Sequence, residues 1–141
     1  MSQSFEKRSI TAQGAQAVIS ACVTTATDRG GAYVIVVVDE SGVLKAAVRM
    51  DGAPLLSVQV ATDKAYTAAG FGMATDAWFD FVDSDGPLRL GAPAGIDRLV
   101  VFGGGIPLKD GDQIVGAVGV SGGHWSDDME IAKAGVAAFD G

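Results

Sequence analysis

The sequence predicts an α+β fold, with helices packed on a mostly antiparallel sheet. Two observations carry this. A β-branched run, Tyr33 to Val38, meets a turn and then a second strand-like stretch, which is the order of a hairpin. Strict alternation of strand and helix is missing, so a doubly wound parallel sheet is not expected. The 141 residues fit one domain, 1–141, long enough to bury a core. An apolar fraction of 48% against 19% charged residues argues against disorder.

Residues Ile10 to Asp28 read as a helix, because Ala15, Val18, Ile19, Cys22, Val23 and Ala26 recur on one face. Ser9 is the expected N-cap and Gly30-Gly31 the stop. Tyr33 to Val38 is a strand buried on both faces, because it does not alternate with polar residues. Asp39-Glu40-Ser41-Gly42 is the hairpin turn, and Val43 to Met50 the return strand. Pro54 to Ala69 is the second long helix, with Pro54 in the first turn, where a missing N–H costs nothing. Its inward stripe is expected to be Leu55, Val58, Ala61, Ala65 and Ala68, and Gly70 and Gly72 end it.

From Phe71 to Asp97 the pattern is irregular. Ala77 to Val82 reads as one or two helical turns, and Asp83 to Pro87 as a turn cluster. Leu99 to Phe102 is expected as a short strand, and Gln113 to Val120 as a long one between two glycine loops. Asp127 with Glu130 three residues on has the form of a capping box and opens the last helix, with Met129, Ala132, Val136 and Phe139 inward.

Charge and composition exclude several partners. The net charge is −7 and no basic patch is visible, so nucleic acid and anionic membranes are not expected. No apolar run approaches the ~18 residues of a membrane span. Met1 to Arg8 has no apolar stretch behind it of the signal-peptide kind, so the cytoplasm is the expected location. The single cysteine, Cys22, cannot form an intramolecular disulfide and sits on an apolar helix face as a small hydrophobe.

Several motifs invite chemistry. Gly119-Val120-Ser121-Gly122-Gly123 has the form of a nucleophile elbow, with His124 and Asp127 close behind. A histidine three residues from the serine cannot easily reach triad geometry, so the glycines read as close-packing positions and Ser121 as a partner for a backbone group. Asp127 and Asp128 would repel an anion at that loop. One His and one Cys, far apart, do not make a metal site, and none is expected. Arg49, Asp51, Lys64 and Thr67 are the candidate polar anchors of a small-ligand cleft, rimmed by Gly105, Ile106, Pro107 and Ser121. Trp78, with Phe79 and Phe81, is a wall or lid over that cleft, or a satellite core. His124 is the candidate catalytic acid or base, and equally a ligand or an exposed polar residue.

These stretches together resemble a known family. Val36 to Gly42, Arg49 to Ala53, Ala61 to Ala68, Gly104 to Pro107, and Gly116 to Gly123 with Asp127 and Ala134-Gly135 are similar to the GlcG/HbpS family, formerly DUF336, which includes the C-terminal domain of PduO-type proteins. The resemblance implies a profilin-like fold, with a five-stranded antiparallel sheet and helices on both faces. It also implies homo-oligomers, often octamers, and haem as a ligand. The expected function is therefore small-ligand binding, with haem or a related tetrapyrrole as the named ligand. Similar proteins use a histidine on the first helix for iron. This chain has none there, and offers His124, Met50, a tyrosine or a threonine instead. Two other readings stay open. One is an enzyme of isomerase or lyase type, acting on a carbonyl or carboxylate compound with His124 as acid or base. The other is a non-catalytic oligomeric carrier.

Overall fold

The valine run forms the centre of the sheet. In the computed structural model, which describes residues 2–141, β1 (Val34–Asp39) is paired on both sides. Its neighbours are β2 (Leu44–Arg49) and β4 (Gln113–Ser121), and β3 (Gly105–Asp110) lies beyond β4. The order is β2-β1-β4-β3 and every pair is antiparallel. Among the described residues the sheet has four strands, not the five that the resemblance implies. The expected strand at Leu99 to Phe102 is missing because its backbone is engaged elsewhere. Thr67 Oγ1 accepts from Val100 N at 3.0 Å and donates to Arg98 O at 2.9 Å, which ties this segment to a helix instead of a ladder.

The helices lie on both faces. On one, α1 (Ala12–Asp28) and α5 (Trp125–Asp140) pack on Ile35, Val37, Val118 and Val120. On the other, α2 (Leu56–Phe71) packs on Val34, Val36, Val38 and Ala117. Successive strand residues point to opposite faces, so burial on both sides requires an unbroken apolar run. No helix is long and apolar enough to cross a membrane among the described residues.

The inward stripe of α2 differs from the expected one. Leu55 and Val58 are 84% and 42% exposed, and Ser57, Ala61, Lys64, Ala65 and Ala68 face the sheet. Small side chains win because the helix lies very close. A Cβ on Gly119 would stand 2.0 Å from Ala61 O, and one on Gly105 would stand 2.5 Å from Lys64 O. Leucine cannot enter such a contact, whatever its hydrophobicity.

Two caps also differ. Thr11, not Ser9, caps α1, accepting from Gly14 N at 2.9 Å. His124, not Asp127, caps α5. Asp127 sits in the first turn and pairs with Arg29. The irregular stretch is in fact two helices, α3 (Thr75–Asp83) and α4 (Gly86–Gly95). Asp85 caps α4 through Leu88 N at 3.1 Å, with Pro87 in its first turn, so the turn cluster is a helix start.

Candidate functional site

The site is built at the end of the sheet where the two glycine loops meet. Lys64 reaches there from α2 and is wholly buried. Its Nζ donates to Val120 O and to Asp128 Oδ2 of α5, both at 2.8 Å. Asp128 Oδ1 accepts from Gly123 N at 3.2 Å. The pair thus ties the helix on one face to a helix on the other, around the sheet end. Burial pulls the Lys64 ammonium below its ordinary range and pushes the Asp128 carboxyl above its own, while each opposes the shift in the other. Gly104, at φ 128°, makes room: a Cβ there would lie 2.6 Å from Nζ.

The ring of Phe102 lies over the ammonium, 5.1 Å from Nζ to centroid. The ring also forms a wall of a cavity of about 480 Å³. Helix α3 contributes Asp76, Phe79 and Asp80, and Val101, Gly103 and Trp125 complete it. Phe79, Phe102 and Trp125 are 52%, 45% and 46% exposed, so three large aromatic groups meet water around one hollow. His124 adjoins it, its ring 5.2 Å from that of Trp125.

His124 is exposed, and its Nδ1 lies 2.7 Å from Ser126 Oγ and 3.2 Å from Ser126 N. Two tautomers fit. With the proton on Nε2, Nδ1 accepts from the Ser126 N–H and caps the helix. With the proton on Nδ1, the ring donates to Ser126 Oγ and Nε2 is free to ligate.

The anchors expected to converge do not all do so. Arg49 and Asp51 are exposed and line a separate open groove with Thr27 and Gly30-Gly31, away from Lys64. Arg49 faces the α2 side of β2, but α2 lies over β1, β4 and β3 and leaves it uncovered. Thr67 is fully engaged by the 98–100 segment. Gly105 N donates to Thr75 Oγ1 at 2.9 Å, and Ile106 and Pro107 are ladder residues opposite Val118 and Ala117. Ser121 is buried, its Oγ donating to Ser57 Oγ at 3.3 Å, so its partner is a side-chain hydroxyl and not the expected backbone group, and it lacks a nucleophile's exposure. Trp78 is buried with Val82 and Ala92, stacks near Phe71 and Phe81, and borders a second hollow with Tyr66 and Leu99. Of the expected residues, Lys64 and His124 lie against rings of the aromatic cavity's wall, and Phe79 alone of the aromatic cluster lines it. Asp76, Asp80, Phe102, Trp125 and Asp128 were not expected. Only the spacing of Asp76, Phe79 and Asp80, one turn apart, could have put them on one helix face.

The family described as "Haem degrading protein HbpS-like" matches residues 10–137. The chain belongs to the HbpS-like family. A relative from Citrobacter freundii, an uncharacterized 15.0 kDa protein in the dhaT-dhaS intergenic region, is 32% identical over 139 residues, or 99% of this chain and 98% of that protein. Protein ORFY of Klebsiella pneumoniae superposes with a TM-score of 0.93 at 31% identity, covering 99% of this chain and 97% of that one. The structure of a PduOC complex with haem superposes with a TM-score of 0.84 at 30% identity, covering 92% and 94% of the two chains. The resemblance read from the glycine and lysine motifs is therefore correct, and the α+β fold with it.

Proposed function

We propose that this chain is a small-ligand-binding protein of the GlcG/HbpS type that holds haem or a related tetrapyrrole at the aromatic cavity, with His124 at its edge. The observation that carries the reading is the grouping of Phe79, Phe102 and Trp125 around one hollow beside the chain's single histidine. Flat apolar walls suit the face of a macrocycle. The family description and the PduOC complex with haem support it.

The donor set fits one imidazole per chain and excludes a pair of histidines from the same chain. Iron bound at His124 would supply redox or oxygen chemistry. Nε2 of His124 would hold it, and the Nδ1–H bond to Ser126 Oγ would fix the tautomer. Phe79 and Trp125 would shield one face from water. Asp76 and Asp80 on the cavity wall would turn the propionates outward. Self-assembly belongs to the same reading, because Leu55, Leu56 and Val58 leave exposed apolar groups at the start of α2.

Haemin titration tests it. The expected result is a saturable Soret shift with one haemin per chain, lost or weakened about tenfold or more in His124→Ala. A spectrum identical to that of free haemin sinks the proposal.

A further inference from the structure

The charge of the aromatic cavity points to a second ligand class. Asp76 and Asp80 stand one turn apart on α3, and both line the hollow. No basic residue lines it. Lys64 lies behind the Phe102 ring and is neutralised by Asp128. Asp76 Oδ1 accepts from Ala77 N at 2.8 Å, so the carboxylate is oriented by its own helix. None of the six ion pairs among the described residues involves Asp76 or Asp80.

Three aromatic faces and two uncompensated carboxylates around one hollow form the chemistry that recognises an organic cation. The rings attract a positive charge through their quadrupoles, and the carboxylates add a Coulomb term that is weakly screened at short range. An alkylated ammonium group spreads its charge over carbon-bound hydrogens and loses little hydration on entry. A carboxylate or phosphate would meet two like charges. The net charge of −7 also attracts cations at a distance.

We propose that the cavity between α3, the 101–103 segment and Trp125 is a binding site for a small aromatic or alkyl ammonium compound, held by Asp76 and Asp80 against Phe79, Phe102 and Trp125. The cavity is the same one that the tetrapyrrole reading uses, but this ligand is held by the carboxylates and not by His124, so either reading can fail alone.

The test compares three probes of similar size: phenyltrimethylammonium, its neutral isostere tert-butylbenzene, and benzoate. Binding is read from the indole N–H signal of Trp125 in nitrogen-15 NMR, with buried Trp78 as the internal control. The ammonium probe is expected to bind about tenfold or more tighter than tert-butylbenzene, and benzoate not to bind. In the Asp76→Asn/Asp80→Asn double variant that preference is expected to vanish while binding of tert-butylbenzene stays. Asparagine keeps an oxygen acceptor for Ala77 N, and thermal unfolding of the variant verifies its fold. Equal binding of the charged and neutral probes overturns the proposal. So does benzoate binding, or a preference that survives the double variant. Loss of haemin binding in His124→Ala, with ammonium binding kept, separates the two readings of the cavity.

Discussion

The two faces of the sheet are packed by different means. Under α1 and α5 the core is made of large aliphatic groups, Ile35, Val37, Val118, Leu108 and Ile131. Under α2 it is made of Ala61, Ala65, Ala68 and strand valines, with Gly119 and Gly105 admitting the helix backbone. The first face gains its stability from buried area. The second gains close approach, and it is the face from which Lys64 reaches the end of the sheet that carries the candidate site. Large side chains tolerate small changes in volume, whereas backbone-to-backbone contact does not.

The largest expected effect is at Lys64. Lys64→Met leaves Asp128 buried without its cationic partner, and a loss of about 3–5 kcal/mol is expected in urea unfolding. The double variant Lys64→Met/Asp128→Leu is expected to recover most of it. If the double variant is no more stable than the single, the ion pair is not what holds the sheet end.

Next comes a pH effect on the other face. Burial pushes the Cys22 thiol from 9.0 up to about 12, opposed by a backbone hydrogen bond. The folded value is the raised one, so its contribution is complete below pH 9 and declines as pH rises toward 12. The full decline amounts to about 4 kcal/mol. Unfolding free energy measured from pH 8 to 11 is expected to fall less steeply in Cys22→Ala. A thiol reagent at pH 8 is expected to leave native Cys22 unmodified.

A smaller pair of variants tests the comparison most directly. Gly119→Ala sets a methyl 2.0 Å from Ala61 O and is expected to cost about 1–3 kcal/mol or more. Ile35→Val, on the aliphatic face, removes one methylene and is expected to cost about 0.5–1.5 kcal/mol. If Ile35→Val proves the costlier, the distinction between the faces is wrong. The smallest effect is on the outer side of α2: Leu55→Ser is expected to change stability by no more than about 0.5 kcal/mol.

The main elements were legible where pattern is local. The valine run, the hairpin turn, the first helix and the last helix each carry a periodicity that survives in the fold. The region 75–95 was legible only in part: Ala77 to Val82 reads as helical turns and lies in α3, but Gly86-Pro87 reads as a turn unless Asp85 is seen to cap α4. Of the candidate site, Lys64 and His124 were visible as isolated polar residues in apolar or glycine-rich stretches. Their surroundings were not. Asp128 lies 64 positions from Lys64, and Phe102 comes from the 101–103 segment while Trp125 opens α5. The expected cleft of Arg49 with Lys64 failed because α2 lies toward β4 and β3, which strand order decides and local pattern does not.

The sequence by itself determined the α+β class, the doubly buried central strand, the packed cysteine and the family. Each depends on neighbours in the chain or on motifs with fixed spacing. The tertiary structure alone decided which residues of α2 face inward, since that rests on the space left by glycines on other strands. It also decided that Lys64 is sealed behind Phe102, and that three aromatic groups and two carboxylates from α3, the 101–103 segment and α5 share one cavity. Those outcomes depend on how far apart the helices and strands come to rest, and that distance is set only when all the contacts are made together.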